Sequence, residues 1–283
     1  MQGGGSNGCA NMSSAELLGD DVSQASVDAA KNPGGALIEL DRIGVEFDGV
    51  SVLQDLSLTI HRKDFACVLG GSGVGKTTLL RVLAGLQKIS YGYLRMKNKA
   101  LRVALVAQNP TLLPWRTIVS NVASGITKEG MDKQAKLQLA REKLDIVGLA
   151  DKYGMYPKEL SGGMQQRVAI ARALASEPDV ILMDEPFSAL DENLRSYLGA
   201  FLLDLWAREE LTIVFNTHSV EEASVLASRA LVVTRDAERT QINDLEQWPG
   251  AYQEYAVRLQ QPARDTYRTA IAAVLGKANV LMG

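Results

Sequence analysis

Residues 68–86 read VLGGSGVGKTTLLRVLAGL, and this stretch decides the fold. Gly70 and Gly75 bracket four residues and are followed by Lys76 and Thr77, the complete spacing of a phosphate-binding loop. The preceding run Ala66-Cys67-Val68-Leu69 reads as a buried strand, and Leu79, Leu83 and Leu86 share one face of a following helix. A strand that delivers such a loop into a helix makes several backbone N–H groups and the positive end of a helix dipole converge on phosphate. Gly70, Gly71, Gly73 and Gly75 let the backbone approach the ligand closely. Lys76 is placed to reach β- and γ-phosphates, and the Thr77 hydroxyl to ligate Mg²⁺.

The rest of the chain bounds what this loop serves. With 283 residues there is room for one large domain or two small ones. Thirty basic residues against 33 acidic ones give a net charge of −3 and a pI near 5.6, without the basic footprint that nucleic-acid binding needs. Two cysteines, Cys9 and Cys67, make no disulfide framework and suit a reducing compartment. No apolar run approaches the roughly 18–20 residues of a membrane span, so a membrane role is expected to come through a partner. Residues 1–36, rich in Gly, Ser, Asn and Asp, read as a disordered leader, with a short helix around Ala15 to Leu18 as the other reading.

Between Leu37 and Ile60, short alternating apolar bursts around Asp48-Gly49 predict antiparallel strands joined by a turn. Phe47, beside that turn, is either a surface ring or a core aromatic. Leu101 to Val106 predicts a strand leading to Gln108, which is either a solvated loop residue or a metal or water ligand. Residues 111–165 change character: Leu112-Leu113-Pro114-Trp115 is a bulky cluster in a turn-rich setting, and Met131 to Val147 has the spacing of a helix. The cluster is either a satellite core or a docking patch for another chain. In LSGGMQQR, residues 160–167, Ser161 predicts a helix N-cap, and the two glycines after it leave the first N–H groups open. This is either a second anion site, lacking a lysine of its own, or a well-capped core helix.

Val180 to Met183 reads as a central parallel strand ending in Asp184-Glu185-Pro186. Adjacent carboxylates there point to opposite sides and can divide labour, Asp184 toward Mg²⁺ and Glu185 toward an attacking water. Leu211 to Phe215 predicts another buried strand, with His218 three residues beyond it, where open α/β sheets gather ligands. A helix over Val220 to Leu226 and a strand over Ala230 to Thr234 complete the pattern.

Together these segments, over roughly Leu37 to Thr234, resemble the ATP-binding subunits of ABC transporters. LSGGMQQR lying between a phosphate-binding loop and VILMDEP carries that resemblance. It implies an α/β P-loop NTPase core with an antiparallel β subdomain and an inserted α-helical subdomain at about 111–166. The implied layout is a nucleotide-binding domain over 37–236 and a C-terminal helical extension over 237–283. At matched positions, Phe47 looks like the adenine-stacking aromatic, and Gly70, Gly71, Ser72, Gly73, Val74, Gly75, Lys76, Thr77 and Thr78 like Walker A. Gln108 looks like the Q-loop glutamine near Mg²⁺, and Ser161, Gly162, Gly163 and Gln165 like the signature. Asp184 and Glu185 look like Walker B with its catalytic carboxylate, Ser188 to Asp191 like the D-loop, and His218 like the switch histidine.

The resemblance further implies ATP and Mg²⁺, a head-to-tail dimer with itself or a related ATPase, membrane permeases, and a substrate-binding protein outside the membrane. Gln108 to Arg116, with Tyr156-Pro157, is similar to bacterial importers for nitrate, sulfonates and taurine, which places Leu112 to Trp115 against the permease at the cytoplasmic face. Gly71, where importers often have Pro, and Ser219, where Asp is common after the histidine, depart from the pattern. Two other readings stand beside this one. A soluble ABC ATPase of DNA repair or translation calls for a long coiled coil, or for paired cassettes with basic segments. A nucleotide-binding regulator without turnover calls for loss of Glu185 or His218.

Overall fold

The computed structural model describes residues 35–98, 100–188, 190–235, 240–245, 258–259 and 262–281. The leader over residues 1–34, with Cys9 and the helix reading at Ala15 to Leu18, lies outside the described residues, as does Ala189.

Strands β1 (Ala36–Phe47) and β2 (Val50–His61) form the hairpin expected from Asp48-Gly49. Both turn residues have positive φ, 47° and 81°, as a two-residue hairpin turn of the primed type requires. β3 is Phe65–Leu69, and β4 (Tyr91–Met96) pairs with the other side of β1, giving a three-stranded antiparallel sheet in the order β2-β1-β4. β5 (Val103–Val106), β6 (Val180–Asp184), β7 (Thr212–Asn216), β8 (Arg229–Arg235) and β9 (Thr240–Leu245) join β3 in a second sheet, ordered β5-β6-β7-β3-β8-β9. Its first five strands are parallel, and β9 runs antiparallel to β8 at the edge.

The parallel strands are nearly continuous apolar runs because both of their faces are covered. Alternation along β3 sends Ala66 and Val68 to a core shared with the antiparallel sheet, and Phe65, Cys67 and Leu69 to a second core under the remaining helices. The first core is closed by α1 (Lys76–Leu83) through Leu79, Leu80 and Leu83. The second contains α2 (Ile118–Ala123), α3 (Lys133–Ile146), α4 (Gly162–Leu174), α5 (Glu192–Arg208) and α6 (Val220–Leu226). α7 (Pro262–Leu281) adds Tyr267 and Ile271 to it.

The C-terminal segment, expected to be helical from 237, contributes β9 before α7. TQINDL carries too few apolar residues for a visible period of two, and its strand state comes from pairing with the free edge of β8.

The cluster at 112–115 is split between core and surface. Leu112 packs on the second core, whereas Trp115 is 71% exposed. The loop is held from beneath by Asn121, which is fully buried: its Nδ2 donates to the carbonyls of Leu113, Arg116 and Thr117 at 3.1 Å each, and its Oδ1 accepts from Leu113 N at 2.7 Å. The Arg172 guanidinium donates to the carbonyls of Pro110 and Thr111 at 2.9 and 3.0 Å. The backbone on either side of this exposed aromatic is therefore held by polar side chains. Replacing Asn121 by Ala removes four hydrogen bonds and leaves Leu113 N and the Arg116 carbonyl without their partner, and urea unfolding is expected to show a loss of about 2–4 kcal/mol at about 1 kcal/mol per bond.

Candidate nucleotide site

β3 hands the chain to a loop that turns directly into α1. Gly75 is the N-cap at φ 99° and offers no side chain, so the first N–H groups of α1 remain open to a ligand. A Cβ there would sit 2.6 Å from Leu53 Cδ2, so the position requires glycine for space as well as for its dihedral. Lys76 Nζ lies inside the loop and donates to the carbonyls of Gly70 and Gly71, each at 2.9 Å. Burial lowers the Lys76 pKa, and the carboxylates of Glu185 and Asp184 oppose that shift. A cleft of about 510 Å³ opens over the loop, lined by residues between Gly70 and Thr78 together with Val52, Glu185 and His218.

The second half of the site comes from the parallel register of β6 with β7, which sets Asp184 opposite Asn216. Asp184 Oδ1 accepts from Asn216 Nδ2 at 2.5 Å and from the Thr77 hydroxyl at 3.3 Å. Thr77 and Asp184 thus present converging hard oxygens, the donor type Mg²⁺ takes when phosphates and water complete its shell. Glu185 leaves the strand with φ 45°, an uncommon conformation for a residue with a side chain, and its N–H donates to Asn216 O at 3.0 Å. The turned carboxylate lies with Oε2 3.5 Å from His218 Nδ1. Gln108 Nε2 donates to Ser188 Oγ at 3.0 Å, and that hydroxyl donates to Glu185 O at 3.0 Å. Gln108, Ser188, Glu185, His218, Asp184 and Thr77 are therefore linked in one constellation.

Other residues expected at the site lie apart from this cleft. Phe47 is 42% exposed at the tip of the β1–β2 hairpin. Ser161 caps α4, its Oγ accepting from Met164 N at 3.3 Å. Gly162 faces open space, whereas a Cβ on Gly163 would meet Leu194 Cδ2 at 2.3 Å. Gln165 Nε2 is used within the chain, on the carbonyls of Pro157 and Leu160 at 3.1 and 3.3 Å. None of these four signature residues lines the cleft.

The family model described as ABC transporter matches residues 53–188. The aliphatic sulfonates import ATP-binding protein of Mycobacterium sp. (strain MCS) is 45% identical over 188 residues, covering 66% of this chain and 76% of that one. The chain belongs to the ABC transporter family. As an ABC ATP-binding subunit it is also 40% identical to the nitrate import ATP-binding protein of Synechocystis sp., over 204 residues, 70% of this chain and 77% of that one. CbiO1 of Clostridium perfringens, part of the ABC transporter complex CbiONQ, shares the fold with a TM-score of 0.64 at 24% identity, over 70% and 84% of the two chains.

This ABC subunit holds further site residues that sequence reasoning missed. Asn216 is fully buried at the end of β7; an amide closing the run Thr212–Asn216 was the available signal, but its partner Asp184 is 32 residues away. Behind His218, the Thr217 hydroxyl donates to Glu222 Oε2 at 2.5 Å, and Glu222 pairs with Arg195 at 3.3 Å. Arg195 also donates to Leu190 O at 3.0 Å, tying the loop before α5 to the histidine segment. Burial pushes the Glu222 carboxyl up, opposed by its Thr217 hydrogen bond and by Arg195. Replacing Asn216 by Leu removes the donor that orients Asp184. Nucleotide titrations with and without Mg²⁺ are expected to show Mg²⁺-dependent affinity falling about tenfold, as for a lost charge-assisted hydrogen bond.

Proposed function

We propose that this subunit is the ATP-hydrolysing motor of a bacterial importer for nitrate, a sulfonate, taurine or a similar small solute. The observation that carries the reading is Glu185, turned by its left-handed φ toward His218 at 3.5 Å, in one cleft with the Lys76 loop. In this reading Gly70 to Thr78 cradle the phosphates of ATP, with Lys76 exchanging its loop carbonyls for phosphate oxygens. Phe47 stacks on the adenine from its exposed place on the hairpin. Mg²⁺, held by Thr77, Asp184 and Gln108, supplies charge neutralisation on the phosphates. Glu185 orients and polarises the attacking water, and His218 and Lys76 stabilise charge gathering on the transferring phosphoryl group.

The signature residues Ser161, Gly162, Gly163 and Gln165 then act in trans. Their exposed helix start has open N–H groups but no lysine and lies off the chain's own cleft, which supports a head-to-tail dimer in which it meets the partner's γ-phosphate. ATP stabilises the closed dimer and hydrolysis releases it, so the motion passes to membrane permeases. The exposed Trp115, on the loop held by Asn121 and Arg172, supports a permease-facing patch within the helical subdomain at about 111–166. Among the described residues no helix is long and apolar enough to cross a membrane, so attachment to the cytoplasmic face of the membrane runs through the permease. A substrate-binding protein outside the membrane completes the importer, and nucleic acid has no part in it.

Glu185→Gln is expected to lower ATP turnover by about 100-fold or more while ATP binding is retained, as for loss of a general base. Steady-state hydrolysis of wild type and variant checks this, and equal rates would remove Glu185 from the chemistry. Light scattering of the same variant with ATP and Mg²⁺ is expected to report a dimer. Trp115→Ala is expected to keep ATP affinity and lose stimulation by the reconstituted permease; full stimulation would take Trp115 out of the interface.

A further inference from the structure

Arg258 and α7 lie beyond the residues matched by the family model, and three of their arginines converge on α6. α6 has only seven residues, too short to persist without tertiary support, and its N-cap Ser219 directly follows His218. Its last turn is held by Arg258, a fully buried guanidinium donating to the carbonyls of Val225, Leu226 and Ala227 at 2.7, 2.9 and 3.4 Å. These are groups that a helix end leaves open, and a cation there also complements the dipole. The same guanidinium stands 5.8 Å from the Trp206 ring centroid. On the outer face, Glu221 pairs with Arg264 and, at 3.7 Å, with Arg268, while Arg264 Nε reaches Ser224 Oγ at 3.5 Å. α7 is itself anchored to the sheet, since the Tyr267 hydroxyl accepts from Ala230 N at 2.7 Å and donates to Leu245 O at 3.2 Å.

His218 needs such support. Its side chain is 66% exposed, so packing around the ring does little to place it, and the backbone of Thr217 and α6 sets where it meets Glu185. We infer that Arg258, Arg264 and Arg268 form a brace through which the C-terminal segment holds α6, making Arg264 a positioning residue for ATP turnover. The inference rests on the hydrolytic role proposed above for His218 and Glu185. Arg264 touches no nucleotide-binding group; it acts through Glu221 and the helix.

The test uses the full chain carrying Arg264→Ala, Glu221→Gln, both together, or Arg264→Lys. Each is assayed for kcat and KM, for affinity toward a fluorescent ATP analogue, and for hydrogen exchange over residues 217–226. Arg264→Ala is expected to lower kcat about fivefold while nucleotide affinity stays within about twofold, the split of a residue serving the transition state alone. Exchange over 217–226 should quicken, Arg264→Lys should recover most of the rate, and the double variant should lose less than the product of the two single losses, as for residues that share an interaction. Unchanged kcat with unchanged exchange in Arg264→Ala would overturn the brace, as would losses that multiply in the double variant. If wild type shows no Glu185-dependent hydrolysis, it is the ATPase reading that fails, and exchange over 217–226 still decides whether α7 braces α6.

Discussion

The site depends on the pairing of β6 with β7 in a register that sets Asp184 beside Asn216. That one contact fixes a carboxylate whose Oδ1 receives both the Asn216 amide and the Thr77 hydroxyl. β3 lies on the other side of β7, so the loop that ends in Lys76 opens at the same edge. A slip of the register would carry Asp184 away from Thr77 and turn the apolar side chains of β6 to the wrong cores. The two cores make that slip costly, because Val180 and Leu182 serve one and Ile181 and Met183 the other, each worth about 1.5–3 kcal/mol when buried.

Around this edge the remaining groups of the site are attached by fewer contacts. Gln108 donates to the Ser188 hydroxyl, which donates to the backbone carbonyl of Glu185, and His218 meets the Glu185 carboxylate from an exposed position. Polar groups set behind them supply the support that their exposure denies them: partly buried Glu222 with Arg195 behind the histidine, and buried Asn121 with partly buried Arg172 beneath the loop that carries Trp115. Such networks order a surface loop without covering it, because their donors meet backbone carbonyls and a carboxylate from within the fold. The same device recurs at the end of α6, where Arg258 fills the open carbonyls.

Much of this was legible before any fold was known. VLGGSGVGKTTLL is local in every sense, since strand, loop, lysine and helix follow each other within 13 residues and their chemistry follows from spacing. The cap at Ser161, the hairpin at Asp48-Gly49 and the apolar runs of β6 and β7 are also properties of short segments. Asn216, Arg195 and Arg258 were not legible, because an amide or guanidinium shows its purpose only through a partner far along the chain. β9 escaped for the same reason, being polar in composition and a strand only because β8 had a free edge.

What the residues determined alone was therefore the set of local elements and the phosphate-loop spacing of Gly70 to Thr77. What only the tertiary structure decided was which distant groups meet: Thr77 with Asp184, Gln108 with Ser188, Glu185 with His218, and Arg264 with Glu221. Periodicity and capping are encoded within a few residues. Sheet order and the closing of long loops depend on how whole elements share two cores, and no single segment records that.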